Sequence, residues 1–342
     1  MVYGFVTISQ IHKPQSKPIT DMNKILTFAI ILLFSITAFG QQEQHYTNFV
    51  YNQQMYNPSY VGSRNTPSFT ALHRSQWLGF EGAPNSQLIS FQTPIMKQRA
   101  GVGGTISRQG IGISYTWFGS AAYSYNLRIT QEIDLRLGLQ ATLEYLGIDF
   151  SDPRVITVTQ NDPSLSDGEF EDKYSGNVGV GLYLTYKDIF YFGASSPQLY
   201  PNNLGFNELV ANQAKAFPHR YFTLGAVIPA NDDIEVMPNM LIKWVDHAPL
   251  DADINFMVRY KKLVTGGITY RTGGGGTVSE VGESVDLLAF YQINQNIGAG
   301  LSYDLTLSDI KDYSSGSIEL IVRYDLRDEK GNLENPRYFK KK

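Results

Sequence analysis

Residues Ile133 to Tyr145 alternate apolar and polar side chains with almost no interruption, and no other stretch constrains the fold as tightly. Successive side chains of an extended strand point to opposite faces. Ile133, Leu135, Leu137, Leu139, Ala141, Leu143 and Tyr145 therefore share one face, and Asp134, Arg136, Gln140, Thr142 and Glu144 the other. A soluble sandwich strand runs to about 5 or 6 residues, whereas a tilted membrane-spanning strand needs about 9 to 11. The length predicts a strand of a membrane barrel.

The beginning of the chain suits that compartment. Ile25 to Phe39 is an apolar run preceded by Met22-Asn23-Lys24 and followed by Ala38-Phe39-Gly40, the pattern of a secretory signal. It is shorter than the roughly 20 residues of a helical anchor and has no basic stop after it. Residues 1–21, with Pro14 and Pro18, match no part of a signal, so they are expected to be an upstream extension, with translation starting at Met22. Cleavage is expected near Gly40. Loss of residues 1–40 removes three cations (Lys13, Lys17, Lys24) and one anion (Asp21) from totals of 28 and 32, leaving 25 against 31. An acidic chain of this kind is no partner for nucleic acid. The absence of cysteine excludes thiolate metal sites and cysteine nucleophiles.

A period-two search along the mature chain gives about fourteen strands, at 67–74, 86–93, 100–108, 117–126, 132–145, 176–186, 188–194, 218–228, 235–244, 251–260, 262–271, 284–292, 296–305 and 316–326. The count is even, as in bacterial single-chain barrels. Gly101, Gly103 and Gly104 blur the third. With the amino terminus on the periplasmic side, the connections at 94–99, 127–131, 187, 229–234, 261 and 293–295 are all short, and those at 75–85, 109–116, 146–175, 195–217, 245–250, 272–283 and 306–315 are longer. Short periplasmic turns and broad outer loops are what an outer-membrane barrel has. The expected architecture is an all-β, antiparallel transmembrane barrel (67–326) in the outer-membrane lipid, with a short periplasmic N-terminal lead-in or plug (41–66) and a periplasmic tail (327–342). In the last strand Ile318, Leu320, Val322, Tyr324 and Leu326 face lipid, and Glu319, Arg323 and Asp325 face inward, because a basic residue at the bilayer midplane costs about 2–4 kcal/mol on the outer face.

Several motifs resemble a known family. Gln44-His45-Tyr46-Thr47-Asn48-Phe49-Val50-Tyr51-Asn52, then Asn57-Pro58-Ser59-Tyr60-Val61-Gly62-Ser63, then His73-Arg74-Ser75-Gln76-Trp77 with Gly82-Ala83-Pro84 are similar to the opening of the PorP/SprF family. Lys243-Trp244 with Ala248 to Asn255, Tyr313-Ser314-Ser315-Gly316-Ser317 before Arg323-Tyr324-Asp325, and the tail Asn335 to Phe339 continue the likeness. The family comprises outer-membrane proteins of the type IX secretion and gliding system of Bacteroidetes. The resemblance implies a non-catalytic component that assists export or surface retention of a partner, such as a large adhesin with a C-terminal sorting domain, together with the secretion machinery. The rival reading is a diffusion channel for a small solute.

Asn-Pro starts a turn and Gly62 permits a left-handed residue, so Asn57, Pro58, Tyr60 and Gly62 form a structured segment. It either plugs the barrel, docks a periplasmic partner or packs at the base. Arg74, Trp77 and Phe80 are expected at the first outer loop, as interfacial aromatics or partner contacts, and Tyr313, Ser314, Ser315 and Gly316 at the last. Arg136, Glu144, Asp253, Arg259, Glu319, Arg323 and Asp325 are expected to line the lumen. The acidic loop 146–175 lacks the spacing of a calcium loop, Gly273 to Gly276 has no following helix or Lys to make a phosphate cradle, and no cofactor or metal is expected. His45, His73, His219 and His247 show no His-x-x-x-His spacing, and no Gly-x-Ser-x-Gly elbow occurs. A hydrolase at the rim, using His73 or His247, is the weakest reading.

Overall fold

The structure is a computed structural model, and it describes residues 45–64, 66–155, 170–203, 215–246, 248–273 and 282–326. The chain divides into two compact units, Met1–Phe39 and Gly40–Lys342, and every described residue belongs to the second.

Fourteen long strands follow one another: β1 (Ser68–Ser75), β2 (Asn85–Ile95), β3 (Ala100–Ile111), β4 (Ser114–Arg128), β5 (Ile133–Asp149), β6 (Phe170–Tyr186), β7 (Phe190–Ser196), β8 (His219–Ala226), β9 (Ile234–Val245), β10 (Asp251–Tyr260), β11 (Val264–Arg271), β12 (Ser284–Gln292), β13 (Ile297–Thr306) and β14 (Ser317–Asp325). Each pairs antiparallel with its neighbours, and β1 pairs with β14 from Ser68↔Asp325 to Ser75↔Ile318, so the sheet closes on itself. Every backbone edge along this ladder is then used, which is what a sheet crossing lipid requires. Among the described residues no helix is long and apolar enough to cross a membrane.

Burial is inverted relative to a soluble protein. Ile89, Leu139, Leu143 and Leu287 are 63%, 62%, 57% and 51% exposed, while Asp253, Asp286 and Glu319 are fully enclosed. Alternation puts these two sets on opposite faces of the same strands, apolar toward lipid and polar toward the lumen. Outward aromatics mark both ends of the apolar band. Trp117, Tyr145, Tyr174 and Trp244 lie toward the long-loop end, and Phe69, Phe91, Tyr186, Tyr260 and Tyr324 toward the other.

All fourteen expected strands are present, and the strand at 251–260 has the expected bounds. The largest shift is the start of β6, expected at 176 and found at Phe170. Short turns at 96–99, 129–132, 187–189, 261–263 and 293–296 share the end of the barrel where β1 begins and β14 stops. One connection is corrected. The expected outer loop 109–116 is a two-residue turn, Gly112-Ile113, between the paired residues Ile111 and Ser114. Gly112, at φ +56, supplies the left-handed first position that such a tight hairpin needs, so both strands run on to it.

The segment before β1 also differs from a simple periplasmic lead-in. Its described part, 45–64, lies inside the barrel, nearly all buried.

Candidate functional site

The interior segment is too short and too broken for an α-helix. It makes three one-turn 3-10 pieces, Phe49–Tyr51, Gln53–Met55 and Pro58–Tyr60. The last is set by its own sequence, because the Asn57 side chain accepts from Ser59 N at 2.9 Å and Pro58 starts the turn with its φ fixed. Asn57 also donates to the Leu182 carbonyl at 2.9 Å, tying the turn to β6.

The wall makes room for this turn with glycines. A Cβ on Gly138 would stand 2.3 Å from Ser59 N, one on Gly181 2.2 Å from Asn57 Oδ1, and one on Gly101 2.3 Å from the Val61 carbonyl. The signature Asn57, Pro58, Tyr60 and Gly62 thus seats directly on the backbone of β3, β5 and β6. Tyr60 packs edge-on against Tyr183 at 5.5 Å, and Gly62 N donates to Gln92 Oε1 at 3.0 Å.

At the long-loop end the segment is held by charge. Arg74 on β1 donates to Asp304 at 2.6 Å and to Glu319 at 3.2 Å. Arg271 on β11 reaches Asp253 at 2.8 Å, Asp286 at 3.3 Å and Asp304 at 3.6 Å. Lys243 on β9 reaches Asp253 at 2.9 Å and Asp251 at 3.1 Å. Three cations face five carboxyl groups, and the segment supplies further donors. Thr47 N and Asn48 N donate to Glu319 at 3.0 and 2.8 Å, and Thr47 Oγ1 donates to Asp304 at 2.8 Å. Buried carboxyl groups need such partners, since an ion stripped of water without them is costly.

His45, Asp251 and Asp253 offer ligand atoms within 4.8 Å of one another. They do not fit a metal ion, because the Lys243 ammonium already stands among them, 2.6 Å from His45 Nδ1. An ammonium has donors and no acceptor, so the His45 Nδ1 beside it must accept. The ring is therefore neutral, with Nδ1 accepting from Lys243 and the proton on Nε2. The 3.4 Å approach of His45 Nδ1 to Asp251 is then two acceptors sharing one donor.

At the opposite end, Arg64 pairs with Asp325 at 3.5 Å and Arg323 with Asp325 at 3.3 Å. Arg323 also lies over the Phe290 ring at 5.2 Å, and Phe290 stacks on Tyr51 at 4.2 Å. The segment thus runs from the long-loop end, at His45, to the short-turn end, at Arg64, before β1 turns back.

Of the residues expected in the lumen, Asp253, Glu319, Arg323 and Asp325 join these networks, and Arg259 pairs with Glu235. Arg136 and Glu144 are half-buried; Arg136 approaches the Gln98 carbonyl at 3.5 Å, and Glu144 accepts from Asn202 at 3.1 Å. Arg74, expected at an outer loop, is instead only 1% exposed. β1 continues to Ser75, so the parity of the strand turns Arg74 inward. Trp77 is at the rim, its N donating to Ser317 Oγ at 3.2 Å and its ring 6.5 Å from Phe80. Leu78 exchanges backbone hydrogen bonds with Gly316 and Ser315, both 2.8 Å, so the first and last outer loops meet over the β1–β14 seam. Tyr313 is 72% exposed there, and Ser314 Oγ bonds Gly316.

His73 faces outward, its ring near Ser75 Oγ at 3.2 Å and Gln87 Nε2 at 3.3 Å. His247 lies outside the described residues, as do Gly274 to Gly276 and much of the acidic loop. Arg271, Asp286 and Asp304 also belong to these networks, although no sequence motif marks them. Each is a charge at an inward register position near the long-loop end of its strand, and that parity was the available signal.

A closed antiparallel sheet of fourteen strands, apolar outside and polar within, defines an outer-membrane β-barrel protein. The family model of the type IX secretion system membrane protein PorP/SprF matches residues 38–324, and the chain belongs to that family. No curated protein matches it. Among solved structures it is similar to the toluene transporter TbuX of Ralstonia pickettii (11% identity, 80% of this chain and 92% of that one, TM-score 0.49). It is also similar to Omp33 of Acinetobacter baumannii (6% identity, 78% and 100%, TM-score 0.44) and to the toluene transporter TodX of P. putida (10% identity, 80% and 93%, TM-score 0.44).

Proposed function

We propose that this type IX secretion membrane protein is a non-catalytic partner of an exported protein, such as a large adhesin with a C-terminal sorting domain, and helps to deliver it to the cell surface or hold it there. The signal is removed near Gly40. The exported partner meets the outer loops around 146–175 and 195–217 or the mouth between them, while the short turns and the tail 327–342 face the periplasmic machinery. Trp77 and the Tyr313–Gly316 loop belong to the same outer face.

The observation that carries this reading is the occupied lumen. Residues 45–64 are bonded to the wall from one end of the barrel to the other, an arrangement that suits a docking platform better than a diffusion path for small solutes. Deleting residues 195–217 tests it. The expected result is normal barrel in the outer membrane with the exported protein lost from the surface. Undiminished surface protein overturns the reading.

A further inference from the structure

A cavity of about 360 Å³ lies on the outward side of the wall, at the long-loop end of β2–β5. Alternation fixes its direction. Asn85 and Arg108 share the faces of the exposed Ile89 and Ile106, which stand opposite each other on β2 and β3, and Asp149 shares the face of the exposed Leu143 on β5. Asn85, Arg108 and Asp149 all line the cavity. A polar hollow therefore sits directly above an apolar strip that faces lipid.

The hollow is held open by its rim. Gly112 N donates to the Gly82 carbonyl at 2.9 Å and Asp149 N to the Ile113 carbonyl at 3.1 Å, which ties the first outer loop, the β3–β4 hairpin and the end of β5 together. Arg154 donates to the Gly112 carbonyl at 3.0 Å and to the two oxygens of Asp152 at 2.8 and 2.6 Å, so that pair neutralises itself. Arg108 and Asp149 differ. The Arg108 guanidinium lies over the Tyr115 ring at 5.8 Å, and among the described residues no carboxylate or other acceptor meets it. Asp149 accepts from Ser151 N and Oγ at 2.9 and 2.6 Å through one oxygen, Oδ1, and among the described residues no cation pairs with it. One cavity thus holds a cation and an anion, neither of which faces an opposite charge.

We propose that this cavity receives the phosphoethanolamine headgroup of a lipid in the outer leaflet, with its phosphate on Arg108 and its ammonium on Asp149. The inference goes beyond the function proposed above and needs only the barrel's place in the membrane. The planar fork of a guanidinium matches phosphate oxygens, and a primary ammonium brings N–H donors to the open carboxylate oxygen, which a trimethylammonium lacks. An anionic headgroup without an amine would set its phosphate beside an unpaired Asp149, a like-charge juxtaposition. The acyl chains then run down over Ile106 and Ile89.

The probe is dioleoylphosphatidylethanolamine, titrated against the full-length barrel in dodecyl maltoside with bound lipid counted by native mass spectrometry. One tightly held lipid is expected, with dioleoylphosphatidylglycerol and dioleoylphosphatidylcholine bound about tenfold more weakly, as for the loss of one charged hydrogen bond. Asp149→Asn should weaken phosphatidylethanolamine to the level of phosphatidylglycerol, and Arg108→Gln should weaken all three lipids. Both side chains lie outside the packed interior, heat-modifiable mobility verifies folding, and either variant suffices alone. Soluble O-phosphoethanolamine at the same concentration should not displace the lipid; displacement would assign the site to a free solute and overturn the lipid. Equal binding of the three lipids, or unchanged binding by the variants, also overturns the proposal. So does loss of the exported protein from cells carrying Arg108→Gln whose lipid binding is intact, since the cavity would then be a protein contact.

Discussion

Arg74 holds two carboxylates and the Thr47 hydroxyl at once, at 2.6, 3.2 and 3.2 Å. Lysine cannot reproduce that fork, because an ammonium lacks the planar, paired donors of a guanidinium. Arg74→Ala should lower stability by about 3–5 kcal/mol, the cost of leaving buried carboxylates unpaired, as read from urea unfolding in detergent micelles. Gly138 tests the other anchor. Its added Cβ would stand within 2.3 Å of the Ser59 backbone, so Gly138→Ala should cost about 1–3 kcal/mol through overpacking. Protease cleavage within 45–64 should accompany it. The inward charges of β14 could be read from its sequence because both ends of that strand were placed within one residue. Arg74 carries the same signal, since it lies within 67–74 on the inward parity of Thr70 and Leu72, but at the last position of that strand it reads as part of the loop that follows.

The strands themselves were legible because lipid enforces the alternation. The exceptions have physical causes. β3 reads weakly because Gly101 and Gly103 are inward positions whose Cβ atoms would strike Val61 and its neighbours, so close approach replaced the expected polar side chains. The pattern of β6 begins late because its first residues, Phe170 to Lys173, carry charge instead of alternation. Turns carry their own costs. Lys261 and Lys262 sit at φ 49 and 58, where a side chain costs about 1–2 kcal/mol per residue relative to glycine's freedom. Lys262→Gly should therefore stabilise the barrel by about 1 kcal/mol in the same urea assay. Asn177 on β6 accepts from Leu199 N at 2.9 Å and Tyr200 N at 3.2 Å, so Asn177→Ala should act locally, speeding amide exchange at Leu199 and Tyr200 and leaving the core strands of the barrel unchanged.

For the molecule as a whole, the sequence defined a barrel and left its contents open. The lead-in has no period of its own, and its conformation is dictated by distant partners such as Glu319 and Leu182, which no local pattern reveals. With that segment in place, the full-length protein should show no steady conductance in planar bilayers, and a constant open current would contradict the packing described. The arrangement also bears on biogenesis. The strands that meet at the seam carry Arg74 and Glu319, the same groups that grip Thr47 and Asn48, and the occupant is synthesised before any strand. Zipping the first strand to the last and capturing the occupant are thus a single thermodynamic event. A chain that has not yet taken up its own amino-terminal residues lacks much of the energy needed to shut.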